Sequence, residues 1–490
     1  MSRSRETLFA AMRAHGERPA LRHDGRCLSY REVLQDVAGR AERLRGADCR
    51  RLAIALDNGA DWVLWDLAAL QAGVVCVPLP GFFSAAQQAH VLDSAGVDTL
   101  IVDDSAPYRG AGFGPAEDQL ARRRVGGPPA LPAGTVKITY TSGSTGQPKG
   151  VCLDADVQLA VAHSLRQASR PCGVERHLCV LPLATLLENI AGLYAPLLAG
   201  AMVELMAMAD IGLGGASRFD IGRFLAALRR SEPHSLILLP QLLLMLVAAA
   251  GQGAALPASL RFIAVGGGRV SPALLRDADA LGLPVFEGYG LSECGSVVCL
   301  NTPAQRRLGT VGRPLPHAEV RVGADGEVLV RGPRMLGYLG EAAPDREWLD
   351  TGDLGHFEDG FLVLHGRSKH QFVTAYGRNV NPEWVEAELV QRPPIAQAWL
   401  HGEALPRNVA VLVPRRADLA DAALADAVRA VNRELPDYAR VHHWLRADAA
   451  FTAANGLATP NGRLRREALF ATYREAIARR LDAATVSGDH

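Results

Sequence analysis

YTSGSTGQPKG, the eleven residues from Tyr140 to Gly150, puts three glycines, four hydroxyl residues and one lysine behind a run, Thr135 to Tyr140, that reads as a strand. Backbone N–H groups at a glycine-rich turn, hydroxyls and a cation together suit phosphate oxygens. The GxxxxGK[ST] spacing is absent, so this is not a Walker loop. A flexible Ser/Gly linker is the plain alternative. Against it stands the scarcity of lysine: of 52 basic residues only Lys137, Lys149 and Lys369 are lysine, and a linker has no reason to hold one of three.

Upstream of the loop, a helical patch at Tyr30 to Leu44 precedes short apolar runs at Leu52 to Leu56, Val74 to Leu79 and Thr99 to Val102. Downstream, runs at Leu178 to Leu183, Leu236 to Leu239 and Arg261 to Val265 alternate with helix-like segments such as Ile221 to Arg230. That alternation predicts an α/β architecture with a parallel sheet. The Gly/Pro-rich interval Pro107 to Gly134 reads as a surface connection. From Ala318 to Gly366 the pattern turns to period-2 runs with glycine turns, Glu319 to Val322, Gly326 to Arg331 and Gly360 to His365, which predicts a small β unit. Strands and amphipathic helices follow, including Pro382 to Leu389, Asp418 to Leu435 and Arg465 to Leu481, in a tail long enough to be a domain.

At 490 residues two or three compact units are expected. The 52 basic residues balance 52 acidic ones, so nothing asks for a nucleic acid. Eight scattered cysteines without a CxxC pair, and a start without the apolar core of a signal peptide, point to a reduced cytoplasm. The longest apolar run, Ser235 to Ala250, is shorter than the roughly 20 residues of a membrane span.

With the loop in place, the sequence resembles the adenylate-forming superfamily of acyl-CoA synthetases, nonribosomal peptide adenylation domains and luciferases along essentially its whole length. GGGRV (Gly266 to Val270), EGYGLSE (Glu287 to Glu293), TGDLG (Thr351 to Gly355) and GRSKH (Gly366 to His370) follow in the family's order. The resemblance implies a large N-terminal domain, residues 1–367, of α/β subdomains with the small β unit at about 318–366. A smaller mobile α+β domain, 368–490, would close on it about a hinge at Lys369. It implies ATP, Mg²⁺ and coenzyme A, or the phosphopantetheine of an acyl carrier protein, as reactants with a small carboxylic acid. The acid would attack the α-phosphorus to give acyl-AMP, and a thiol would then take the acyl group.

Carried over by position, Thr141, Ser142, Gly143, Ser144, Thr145, Gly146 and Lys149 would hold the phosphates, with Thr145 and Glu293 at the metal. Gly267, Gly268, Arg269, Glu287, Gly288, Gly290 and Ser292 would shape the adenine side, with Tyr289 stacked on the base. Asp353 would take the ribose hydroxyls and Arg367 a second ribose or phosphate contact. Gly377 would line the thiol's approach after rotation. Two departures stand out. TPNGRLRRE, Thr459 to Glu467, has Arg463 where the family keeps a catalytic lysine, and Thr185 in LPLATLLENIAG replaces a frequent histidine or aromatic near the carboxylate. We read Arg463 as a working cation; a non-catalytic or adenylate-consuming homologue is the alternative.

SLILLPQLLLMLV, Ser235 to Val247, offers no carboxylate to pair a substrate ammonium, which disfavours an amino acid. Asp220 reads as a helix cap. The wording around Glu293 and Arg307 looks most like bacterial medium- to long-chain acyl-CoA synthetases, so an apolar, fatty acid is expected, with an aryl acid as the alternative. His370, His442 and His443 read as ordinary surface or core histidines, and Cys294 as an apolar filler.

Overall fold

Helix Ala60–Ala72 spreads large apolar side chains round its circumference, with Asp66 a buried exception among them, and such a helix must be covered nearly all round. Every residue from Trp62 to Leu70 is buried. The cover is supplied by two sheets: strands Arg51–Ile54 and Val75–Pro78 on one side, Pro19–His23 on the other, with helix Tyr30–Gly46 alongside. The structure, a computed structural model, describes residues 3–141, 148–214, 218–341, 345–459 and 462–486.

The first sheet has seven strands and is parallel through its centre, where Lys137–Thr141, Val75–Pro78, Arg51–Ile54 and Thr99–Ile101 lie side by side. The second has nine, parallel from Pro19–His23 through Met202–Leu205, Arg176–Leu178, Ser235–Leu238 and Phe262–Val265 to Val285–Tyr289. Both faces of these strands are buried, which accounts for their continuous apolar runs. Glu319–Val322, Glu327–Arg331, Leu349–Glu358 and Phe361–Arg367 form a separate antiparallel sheet. The tail has a three-stranded sheet, Ile395–His401, Asn408–Pro414 and Val441–Arg446, packed with helices Pro382–Val390, Asp421–Asn432 and Arg466–Val486. The result is the expected α/β body with a smaller α+β unit after it.

Two expectations of local structure need correction. Pro107 to Gly134 is more than a connection, because Leu120–Arg122 inside it pairs antiparallel with Thr99–Ile101 and closes that sheet edge. Leu178 to Leu183 is not one strand: sheet pairing stops at Leu178. Beyond it side chains take over part of the backbone pairing, with Asn58 donating to Leu181 O and accepting from Leu183 N–H at 2.9 and 2.8 Å. Among the described residues no helix is long and apolar enough to cross a membrane.

Candidate active site

The parallel strands of the second sheet end together at Leu239, Gly266 and Tyr289, and the crevice beyond strand C-termini is where open α/β sheets bind ligands. A cavity of about 3200 Å³ opens there. It is lined by Thr141, Lys149, Thr185, Gly267, Gly268, Arg269, Glu287, Gly288, Tyr289, Gly290, Ser292, Glu293, Asp353, Arg367, Lys369 and Arg463. Ser142, Gly143, Ser144, Thr145 and Gly146 lie outside the described residues. Gly377 sits in an exposed turn away from the cavity, with its N–H donating to Thr374 O.

The turn after Tyr289 needs glycine. A Cβ on Gly290 would lie 1.6 Å from Ser296 O, so only a bare backbone lets the Ser292–Cys294 turn fold back beneath the strand. Tyr289 donates its hydroxyl to Asp353 Oδ2 at 2.7 Å, while Arg367 Nε holds Oδ1 at 2.9 Å. Burial pushes the Asp353 carboxyl up and Arg367 opposes it. A carboxylate has about four acceptor sites, so two remain for a diol. On the opposite wall, Tyr338 donates to Glu293 Oε1 at 2.7 Å, and Lys149 Nζ lies 5.3 Å from the centre of the Tyr338 ring and 3.2 Å from Glu341. Lys149 is exposed, and among the described residues its ion pair is with the half-exposed Glu341, which leaves the ammonium open to solvent.

The tail domain supplies the third wall. The hydrogen bonds between Thr459 N–H and Arg463 O at 2.7 Å and between Arg463 N–H and Thr459 Oγ1 at 3.0 Å pin the ends of the loop that carries Arg463. The arginine side chain is exposed, and what it is exposed to is the cavity. Surrounding protein lowers its pKa, with repulsion from Arg367 adding to this and Glu383, Glu293 and Asp353 opposing it, so all four groups lie within electrostatic reach. Sequence reasoning missed the neighbours that hold this wall. His370 Nδ1 is 2.6 Å from Glu383 Oε1, and burial of Glu383 is outweighed by His370 and by the Arg466 and Arg367 charges, leaving its carboxyl below its usual range. Arg466 grips Glu386 with both guanidinium nitrogens, and Leu400 N–H donates to the same carboxylate at 2.8 Å. No motif marks these pairs, because each joins residues distant in sequence through tertiary packing.

Arg269 Nη1 donates to Leu364 O and His365 O at 3.0 and 3.2 Å, tying it to the antiparallel sheet, and Ser271 Oγ, donating to Glu388 at 3.1 Å, joins body and tail. Burial raises Glu287 to about 8, Arg269 being the charge that resists it. Arg269 and Glu287 both line the cavity. Thr185 lines the cavity, and its hydroxyl donates to Pro182 O at 2.7 Å. Asp220 caps helix Ile221–Ser231 through Arg223 N–H. Cys294 is 1% exposed and burial pushes its thiol up to about 12, as an inert filler requires.

A crevice with a tyrosine-held carboxylate, a carboxylate beside a lysine and a cation brought over by a small second domain defines an adenylate-forming enzyme. The chain belongs to the AMP-binding enzyme family: the family model matches residues 8–339, and that of the AMP-binding enzyme C-terminal domain matches 369–484. Its class is that of the AMP-forming acid–thiol ligases. It is 27% identical over 420 residues to 2-succinylbenzoate–CoA ligase of Bacillus subtilis, covering 79% of this chain and 82% of the relative. A long-chain-fatty-acid–CoA ligase of Mycobacterium bovis is 30% identical over 431 residues, 73% of this chain and 71% of that one. Among solved structures, o-succinylbenzoate coenzyme A synthetase of Bacillus subtilis with ATP and magnesium ion superposes with a TM-score of 0.75 at 25% identity, covering 94% and 98% of the chains. An anthranilate CoA ligase with anthranoyl-AMP reaches 0.81 at 19% identity over 97% and 98%, a likeness of fold.

Proposed function

We propose that the protein uses MgATP to turn an apolar carboxylic acid into its acyl-AMP and then passes the acyl group to the thiol of coenzyme A. The observation that carries this reading is Arg463, held by the tail domain over the cavity that also contains Asp353, Glu293 and Lys149. Adenylation asks the protein mainly for alignment and for positive charge where negative charge develops. In this reading Asp353 and Arg367 seat the ribose, Tyr289 and the Gly266–Gly268 turn enclose the base, and Lys149 with Thr141 and the loop residues 142–146 holds the leaving pyrophosphate. Glu293, whose Oε1 carries the Tyr338 hydroxyl, offers a hard oxygen ligand of the kind Mg²⁺ takes, with Thr145 as its partner. The ion supplies charge neutralisation of the phosphates when bound. Arg463 aligns the carboxylate with the α-phosphate.

The body is residues 1–367 and the lid 368–490, turning at the exposed Lys369 so that Arg463 leaves and Gly377 enters for thiol transfer. The acid is assigned from the apolar residues that line the cavity beside Thr185, among them Leu187, Ala191, Ala195 and Ile237, a group that includes no carboxylate. An ammonium there would be unpaired, so this lining favours an apolar acyl chain over an amino acid. The test is pyrophosphate release with MgATP and a panel of fatty, aryl and amino acids, with and without coenzyme A, products identified by mass. Release with apolar acids and an acyl-CoA product is expected. Release with acyl transfer only to a holo carrier protein would reassign the acceptor, and no release with any acid would remove the synthetase reading.

A further inference from the structure

The cavity lining around Leu187, Ala191 and Ile237 is mostly apolar, but one row across the sheet beside it is polar. His177, Ser235 and Phe262 stand opposite one another in the parallel register of three neighbouring strands, and all three line the cavity. His177 and Ser235 are only 2% and 5% exposed. Ser235 Oγ is 2.9 Å from His177 Nδ1, and His177 Nε2 is 3.2 Å from Glu188 Oε1. Glu188 begins the π-helical stretch Glu188–Tyr194, and Gly192 in that stretch leaves it room: a Cβ there would lie 2.3 Å from Glu188 Oε1 and 2.8 Å from His177 Nε2.

With an ionised Glu188 and a neutral imidazole, Oε1 takes the His177 Nε2 proton while Oε2 takes the Leu181 N–H at 3.3 Å, and His177 Nδ1 accepts the Ser235 hydroxyl. Ser235 has then spent its one proton, and its remaining lone pairs are acceptors in a wall otherwise mostly apolar. A buried acceptor left without a donor costs about 1–3 kcal/mol. The depth can be read along the sheet. From Gly266 at the nucleotide end to Phe262 in that row is four residues, ~13 Å at ~3.3 Å each. An extended chain covers ~3.5 Å per three bonds, so that depth takes on the order of ten bonds.

We propose that Ser235, oriented by His177 and Glu188, selects the acyl substrate by accepting a hydrogen bond from a hydroxyl at the far end of a medium-length apolar acid. The inference rests on the acid-activating reading and names its substrate class. A terminal ammonium is the poorer fit, because the Glu188 carboxylate lies behind His177 and the charge would have no direct partner.

The test compares acids of about six to twelve carbons ending in methyl, hydroxyl or methoxy. Each is used in two forms: as the non-hydrolysable acylsulfamoyl adenosine, for calorimetric Kd, and as the free acid, for kcat/KM of pyrophosphate release. The hydroxyl analogue is expected to bind about tenfold or more tighter than the methyl one. The methoxy analogue, an acceptor only, should show no such gain, and Ser235→Ala should erase the preference. If that variant does not fold, the wild-type comparison of hydroxyl with methoxy decides alone. Equal binding of hydroxyl and methyl ends, or of hydroxyl and methoxy ends, overturns the proposal. Analogue binding with the hydroxyl preference but no pyrophosphate release from any acid would remove the activation reading and leave the pocket assignment standing.

Discussion

Replacing Arg463 by alanine removes the cation that the tail domain places over the crevice. Two unit charges about 4 Å apart interact by about 4 kcal/mol at an effective dielectric of about 20, a factor of about 10³ in rate. Arg463 is exposed to the cavity, and Arg367 shares the same field, so the expected loss in adenylation is about 10²- to 10³-fold. The assay must separate the half-reactions. ATP–pyrophosphate exchange reads the step in which Arg463 faces the substrate, and transfer from supplied acyl-AMP to coenzyme A reads the step in which the lid has turned away. Exchange should collapse while transfer falls far less. Arg463→Lys keeps the charge but loses the planar fork, and should stay within about tenfold of wild type. Exchange by Arg463→Ala indistinguishable from wild type would refute the assignment, since the cation would then contribute nothing to the step it faces.

Asp353→Asn keeps an acceptor for Tyr289 but loses the ion pair to Arg367, and should raise the KM for ATP about 10- to 100-fold with a smaller change in kcat; an unchanged KM removes Asp353 from the ribose site. Burial raises Glu287 from 4.5 to about 8, so between those values the folded chain holds a proton the unfolded chain has released, and stability falls as pH rises through the window. Glu287→Gln, always neutral, should match wild type below pH 4.5 and exceed it above pH 8 by at most about 5 kcal/mol; parallel denaturation midpoints across the range would contradict this. Arg466→Met strands the Glu386 carboxylate, which is 7% exposed, and should cost about 3–5 kcal/mol in urea unfolding of the tail; a loss under about 1 kcal/mol would mean the pair is solvated in practice.

The parallel core was legible because its strands are buried on both faces and bounded by glycine and proline, as at Phe262–Val265 before Gly266 and Ser235–Leu238 before Pro240. The antiparallel unit was legible from its alternation. The hairpin Pro19–His23 with Arg26–Ser29 was not found, although Asp24 and Gly25, both at positive φ, are the dipeptide that such a turn favours. Its strands are too short and too polar for periodicity to announce them. At the site, the motifs marked Tyr289, Glu293, Asp353 and Arg367, which the structure brings to one cavity, and they said nothing of the groups that hold those side chains in place. Glu383, Glu386, Arg466, Tyr338 and the His177–Glu188 pair act through partners set by packing, and sequence distance carries no trace of that.

The three lysines show what a residue count can and cannot settle. Lys149 and Lys369 stand in family motifs, which left Lys137 without a reason. In the structure Lys137 is 2% exposed, 2.9 Å from Asp66 and 3.1 Å from the Tyr194 hydroxyl, with Asn189 as a third partner. Tyr194 and Asn189 in turn donate to Asp66 at 2.7 and 3.2 Å, so three donors on one ammonium and the carboxylate opposite are matched without a spare. A guanidinium brings five donors in a rigid fork, and the two it could not place would be buried unpaired. Lysine therefore persists at 137 for packing. That weakens any argument that this chain keeps lysine only where chemistry demands it, and with it the argument that arginine at 463 marks lost catalysis. A cavity open enough to leave Arg463 exposed can accommodate the fork that the closed core around Lys137 cannot.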